Sequence, residues 1–338
     1  MAHEVETMAF ANATPWHGLG KQVSDLMTPD QMLVAAGLDW TVSKRPLYTI
    51  DNPNVWNVVD PTGESNFMPV PKQYALVRDS DNTILGNCGE SYTPFQNHEV
   101  MRFFKKFTEA GNMKMETAGS LKLGKDIWGL AKIKEGFTLT GGDEIRGYLL
   151  VNNSHDAGKA MQIMFTPIRV VCNNTLTMAL SQKGQRFRVL HLQMFDDEII
   201  RAAEEAMGLS SQRLEEFSEA ANFLASKRAT PDQIEYYIAD LFQPHTLVER
   251  AKSPDLLPPL RDEFKRTAQK VLAAIDLSPG ASMVSAKGTW WGALNAVTYV
   301  MDHELRSQDT GNALYSSWFG SAASKKRDAL AKALEYAK

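Results

Sequence analysis

The chain has 338 residues, 43% of them hydrophobic and 22% charged, with a net charge of −4. That balance suits one large or two ordinary globular domains with a substantial core, and the acidic total argues mildly against a general nucleic-acid binder. No run approaches a membrane span, the N-terminus lacks the basic-then-apolar order of a secretory signal, and two cysteines, Cys88 and Cys172, give neither metal spacing nor a disulfide framework, so a reduced cytoplasm is the expected location.

Residues 1–40 read as a loop and a short helix, with Thr28 as N-cap, Pro29 in its first turn and Gly37 near its exit. Strand-like pieces follow: "WTVSKRPLYTI", "VWNVVD", and "YALVRDSDNTILGNCG", a hairpin turning at Asp-Ser-Asp-Asn. "PFQNHEVMRFFKKFTEAG" predicts an amphipathic helix with Val100, Phe103, Phe104 and Phe107 on its apolar face. Four strands come next, "MKMETAGSL", "DIWGLAKIK", "EIRGYLLVNN" and "KAMQIMFT", joined by short glycine-bearing turns, which predicts an antiparallel meander. A helix is then expected from Thr166 and Pro167, with Val171 and Cys172 on its apolar face and Arg169 and Asn173 on another. After "QRFRVLHL" helices are predicted at 196–226, 231–242, 259–275, 287–307 and 322–337. The expected fold is α+β: an antiparallel β-meander closed by a helix in residues 1–195, then a mostly helical region over 196–338.

Charge is unevenly spread. Met101–Phe195 holds 14 Lys and Arg against 7 Asp and Glu, leaving 22 against 33 for the rest of the chain. This segregation points to a local positive face, with the solvated sheet face as the plainer reading. Its candidates are Lys122, Lys125, Lys132, Lys134 and Arg146 around the meander and Lys183, Arg186 and Arg188 after it. Lys132 and Lys134 flank Ile133, and Arg186 and Arg188 flank Phe187, so each pair shares a strand face. Trp128, Tyr148 and Phe187 supply rings of the kind single-strand binders place beside bases. Arg169, Asn173 and Asn174 suit a phosphate site at a helix start, or equally a polar face that caps a sheet edge.

Catalytic patterns are thin. Cys172 follows two valines and reads as a small core residue rather than a nucleophile, which leaves a Cys172/His191 enzyme as the weaker alternative. "PWHGLGK" lacks the ending of a phosphate loop, and Asp302-His303-Glu304 lacks the helical spacing of a metal site. No metal or other cofactor is expected.

The motifs "PWHGLG", "TPIRVVCNNTL", "GTWWGALNAVTYVMDH" and "LYSSWFGSAASKKRDALAKAL", in this order along nearly the whole chain, resemble the phage/plasmid-like proteins grouped as domain of unknown function 932. The resemblance implies a bacteriophage, prophage or plasmid gene acting in a bacterial host, and carries no established activity. The architecture also resembles the core of phage single-strand annealing proteins. That likeness implies a homo-oligomeric ring or filament that binds single-stranded DNA through its backbone and anneals it without covalent catalysis. A non-enzymatic protein acting on host or phage partners is the alternative.

Overall fold

A computed structural model of the chain describes residues 5–12, 19–50, 67–110, 113–157, 159–171, 174–175, 186–191, 210–242, 262–305 and 313–338. The fold is α+β with antiparallel sheets and a helical C-terminal region. The meander forms as expected from β6 (Lys114–Leu121), β7 (Asp126–Leu139), β8 (Asp143–Ser154) and β9 (Met161–Arg169). Together with β1 (Val5–Phe10), β2 (Lys21–Gln22), β10 (Asn174–Thr175) and β11 (Arg186–Val189) they make one eight-stranded sheet, in the order β10-β9-β8-β7-β6-β1-β2 with β11 also on β9. The N-terminal loop expectation is thus corrected: β1 pairs antiparallel with β6 because Val5, Met8 and Phe10 have an apolar surface to cover. A smaller sheet holds β3 (Val42–Ile50), β4 (Phe67–Arg78) and β5 (Ile84–Gly89). The expected strand "VWNVVD" lies outside the described residues.

Helix α1 (Pro29–Ala35) starts as its sequence dictates. The Thr28 hydroxyl accepts from the Gln31 N–H, and the Gln31 side chain accepts from the Thr28 N–H. Helix α2 (Asn97–Ala110) buries Val100, Phe103 and Phe104. Both pack on one face of the large sheet, over Ala118, Ile127, Ala131, Leu149 and Val151.

The expected helix at Thr166 is not formed. β9 runs through Thr166 and Pro167 to Arg169, paired along its length with β8. Its other edge pairs with β11 as far as Met164 and with β10 from Ile168. Pro167, which has no N–H to give, falls in the gap between those two short strands. Sheet pairing on both sides overrides the local Thr-Pro signal. Cys172 and Asn173 lie outside the described residues.

The C-terminal helices are α3 (Ser210–Ser226), α4 (Pro231–Phe242), α5 (Asp262–Leu277), α6 (Trp290–Tyr299), α7 (Ala313–Trp318) and α8 (Ser321–Tyr336). α6 passes into a π turn at Val300–Glu304. Their core includes Trp290, Trp291, Phe217 and Tyr237, and it continues onto Ile133, Ile145 and Phe165 of the sheet. By strand alternation these three lie on the same face as Ile127 and Leu149, so α1 and α2 cover one end of that face and the C-terminal helices the other.

The two halves are tied by a buried carboxylate. Arg169 Nε lies 2.8 and 3.0 Å from the two Asp143 oxygens, and its terminal nitrogen donates to Asp143 Oδ2 at 2.7 Å and to the Gly280 carbonyl at 3.1 Å. Ser285 Oγ and Trp291 Nε1 donate to the same oxygen at 2.6 and 3.0 Å. Gly280 has φ +77°, and a Cβ there would lie 2.6 Å from Val171 and 3.0 Å from the guanidinium. Burial alone raises the carboxyl pKa of Asp143, but the Arg169 hydrogen bonds and charge, with Ser285 and Trp291, hold it below the ordinary value.

Removing the arginine strands the carboxylate. Arg169→Ala is expected to cost about 3–5 kcal/mol, and Arg169→Lys to recover only part, because lysine lacks the planar fork. Urea denaturation with hydrogen exchange over residues 278–291 checks this. An unchanged midpoint for Arg169→Ala refutes it.

Candidate nucleic-acid interface

The second face of the large sheet is the candidate surface. Pairing places its residues in rows. Lys114, Lys132, Tyr148 and Thr166 form one. Leu130, Leu150, Met164 and Arg186 form the next, and Trp128, Asn152, Gln162 and Arg188 a third. Arg146 follows Tyr148 by two on β8 and faces the same way. Three of the sequence candidates, Lys132, Arg146 and Arg188, therefore share one sheet face although they lie on three strands; Arg186 stands in β11 opposite Met164, its side chain outside the described ones.

α7 covers part of this face. Tyr315, Trp318 and Phe319 pack against the cluster of Met8, Phe10, Leu121, Trp128, Leu130 and Leu150, with Trp318 edge-on to Trp128 at 5.8 Å. Trp128 lies across Gly119 on the neighbouring strand, where a Cβ would meet its ring at 2.4 Å. Near this helix, Tyr148 is 7% exposed and its hydroxyl is pushed up to about 12 by burial and by Glu116.

The charges are partly matched. Arg146 donates to Glu144 at 2.6 and 3.1 Å, and Lys114 reaches Asp25 at 3.3 Å. Lys114 and Lys132 stand directly opposite on adjacent strands, and their like charges are offset by Asp25 beside Lys114 and Glu144 near Lys132. Arg188 is exposed.

The remaining candidates are placed differently. Lys122 stands in the β6–β7 turn, where φ is +54° at Lys122 and +57° at Leu123. Its ammonium lies 3.6 Å from the buried Asp126 and 4.5 Å from the Tyr315 ring. Lys125 is half-buried in the same turn, its carbonyl taking the His155 N–H at 2.7 Å. Lys134 is within β7 and Asn174 in β10 opposite Arg169, with side chains outside the described ones; Lys183 lies outside altogether. Arg169 is not with the others. It is on the opposite face, 1% exposed and ion-paired to Asp143, because β9 replaces the expected helix.

Asp302 in the π turn accepts from Lys326 at 2.6 Å and from Ser317. Lys326 is fully buried, and desolvation holds its pKa below the ordinary lysine value against the raising effect of Asp302. Among the described residues no group of three His, Cys, Asp or Glu side chains is placed to hold a metal, and no helix is long and apolar enough to cross a membrane.

A buried polar pair lies between the two sheets. His155 is fully buried, with Nε2 2.8 Å from Asn97 Oδ1. His191 stacks against Tyr92 and Phe95 at 4.7 and 4.4 Å, its Nδ1 3.2 Å from the Thr93 carbonyl. The enzyme alternative needs His191 open to a substrate, and it is 4% exposed. Sequence reading missed Asp126, Asp143, Asn152, Gln162, Lys159 and Tyr315. The partners of Asp143 lie 26, 142 and 148 residues away, so nothing local marked it.

Both histidines are kept neutral. Desolvation, with a smaller contribution from His191, lowers His155 to about 3; desolvation lowers His191 to about 4 against the raising effect of Thr93. The unfolded chain therefore takes up these two protons first. Their stability contribution is complete above pH about 6.5 and is lost as pH falls toward those values, by up to about 1.4 kcal/mol per unit for each. His155→Gln is expected to remove about one proton from the slope of unfolding free energy between pH 6 and 4. An unaltered slope contradicts the assignment.

The family model for a domain of unknown function (DUF932) matches residues 84–329. No curated protein matches the chain. No solved structure matches it either. The matched segment runs from β5 into α8 and takes in the meander, the Asp143 tie and most of the helical half, so the chain belongs to the DUF932 family.

Proposed function

We propose that this protein binds and anneals single-stranded DNA as a homo-oligomer, in phage or plasmid recombination within the bacterial cytoplasm, and without covalent catalysis. The observation that carries the reading is the gathering of Lys132, Arg146 and Arg188 on one sheet face, beside Lys114. A positive face suits a single strand held by its phosphates, while Trp128 and Tyr148, expected from sequence to stack on bases, are buried in the sheet packing. The motif resemblance to phage/plasmid-like proteins supports the phage or plasmid setting.

A second reading rests on the β3–β4 ribbon. There Tyr48, Ile50, Phe67 and Met68 are exposed, and Ile50 faces Phe67 across the pair. Exposed apolar pairs on a ribbon suit contact with another protein, so a non-enzymatic interaction protein is the alternative.

Charge reversal separates the two. Lys132→Glu with Arg188→Glu is expected to weaken binding of a labelled oligonucleotide at least tenfold. The slope of log affinity against log salt should fall by about 0.7 for each lost phosphate contact. Lys72→Glu with Arg45→Glu, two exposed sites on the ribbon, is the matched control. The C-terminal Lys326 is unsuitable as a control because it is buried against Asp302. Equal titrations for the double variant and the control defeat the reading.

A further inference from the structure

Beneath α7, the second face of the sheet carries a floor of hydrogen-bond acceptors. Asp126, Asn152 and Gln162 lie on β7, β8 and β9, all on the face of Trp128. Their exposures are 0%, 1% and 8%. Both carboxylate oxygens of Asp126, Oδ1 of Asn152 and Oε1 of Gln162 are buried without a hydrogen-bond partner. Native proteins rarely leave buried acceptors unmatched, and four on neighbouring strands call for something that donates. The orientation of Asn152 is set, because its amide nitrogen already donates to the Ile127 carbonyl at 3.0 Å, leaving its oxygen as the unused end.

The rim narrows what can enter. Lys122 and Lys159 stand 3.6 and 3.5 Å from Asp126 Oδ2, and both ammonium groups lie over the Tyr315 ring, at 4.5 and 4.7 Å. Two cations beside the carboxylate repel a metal ion, which argues for a neutral donor. The same lysines suit a phosphate attached to that donor, and Tyr315 offers a ring for stacking. Arg188 ends the row that holds Asn152 and Gln162.

We propose that this floor receives one nucleobase of a bound single strand, amino edge first, with Asn152, Gln162 and Asp126 accepting its N–H groups and Lys122 and Lys159 taking the adjoining phosphate. The inference rests on the single-strand reading above and deepens it, because it makes binding depend on the bases as well as on the backbone. Cytosine, adenine and guanine each carry an exocyclic amino group, guanine with a ring N–H beside it; thymine offers only a ring N–H and is the poorer fit.

The test compares oligomers of equal length and charge: oligodeoxycytidine, oligodeoxythymidine and an abasic strand, titrated at one salt concentration. A base contact of this kind is expected to make the cytidine strand bind about tenfold tighter than the abasic one, with thymidine between. Gln162→Met, close in shape and without the acceptor, is expected to shrink the cytidine-over-thymidine preference and leave the abasic affinity unchanged. Its melting temperature is measured beside it; if that variant fails to fold, the comparison of strands on the unaltered protein decides alone. Equal affinity for all three strands overturns this inference, assigns the floor to buried water, and leaves the single-strand reading standing. Failure of every strand to bind overturns the single-strand reading and this inference together.

Discussion

One buried ion pair joins the two halves of this protein. Asp143 opens β8 and Arg169 closes β9, so the pair staples the ends of neighbouring strands. Taking both charges out of water is costly, and the cost is offset only where every lone pair is answered. Here the answer comes from elsewhere in the chain, from Ser285 and Trp291 to the carboxylate and from the Gly280 carbonyl to the guanidinium. The segment leading into α6 is thereby fixed against the sheet. Trp290, Leu294 and Val297 then pack in the core that reaches Ile145 and Phe165.

That attachment settles which face of the sheet is covered by which helices. α1, α2 and the helical half cover the first face, and α7 returns to cover part of the second. The second face carries Lys132, Arg146 and Arg188, with Tyr148, Leu150, Met164 and Thr166 buried beside them, and the unmatched acceptors lie buried on the same face. A net acidic protein can present such a surface because phosphate contacts depend on local charge more than on the total.

Much of this was legible in the sequence, and the misses share a cause. The meander, the capped helix at Thr28 and the apolar stripe of Val100, Phe103 and Phe104 are local patterns, and the folded chain keeps them. Strand alternation paired Lys132 with Lys134, whose side chain lies outside the described ones. Thr166-Pro167 carried an equally good local signal for a helix, and it lost to pairing with β8 that only the whole sheet reveals. Arg169 moved with it, from an expected surface position to the buried tie, which was the bracing role its sequence left open. Asp143 sat in a stretch that reads as a turn, and Asp126, Asn152 and Gln162 sat in strands whose apolar residues drew attention first. Their meaning depends on what faces them across strands, and spacing along the chain does not show that.

The central claim is that the second sheet face holds a single strand. Photo-crosslinking of a bromodeoxyuridine-bearing oligonucleotide, followed by mass spectrometry of the joined peptides, tests it most directly. The account predicts crosslinks to peptides from β7, β8, β11 and α7, around Lys132, Tyr148, Arg188 and Tyr315. Crosslinks confined to the β3–β4 ribbon or to the outer surfaces of α3, α4 and α5 would contradict it.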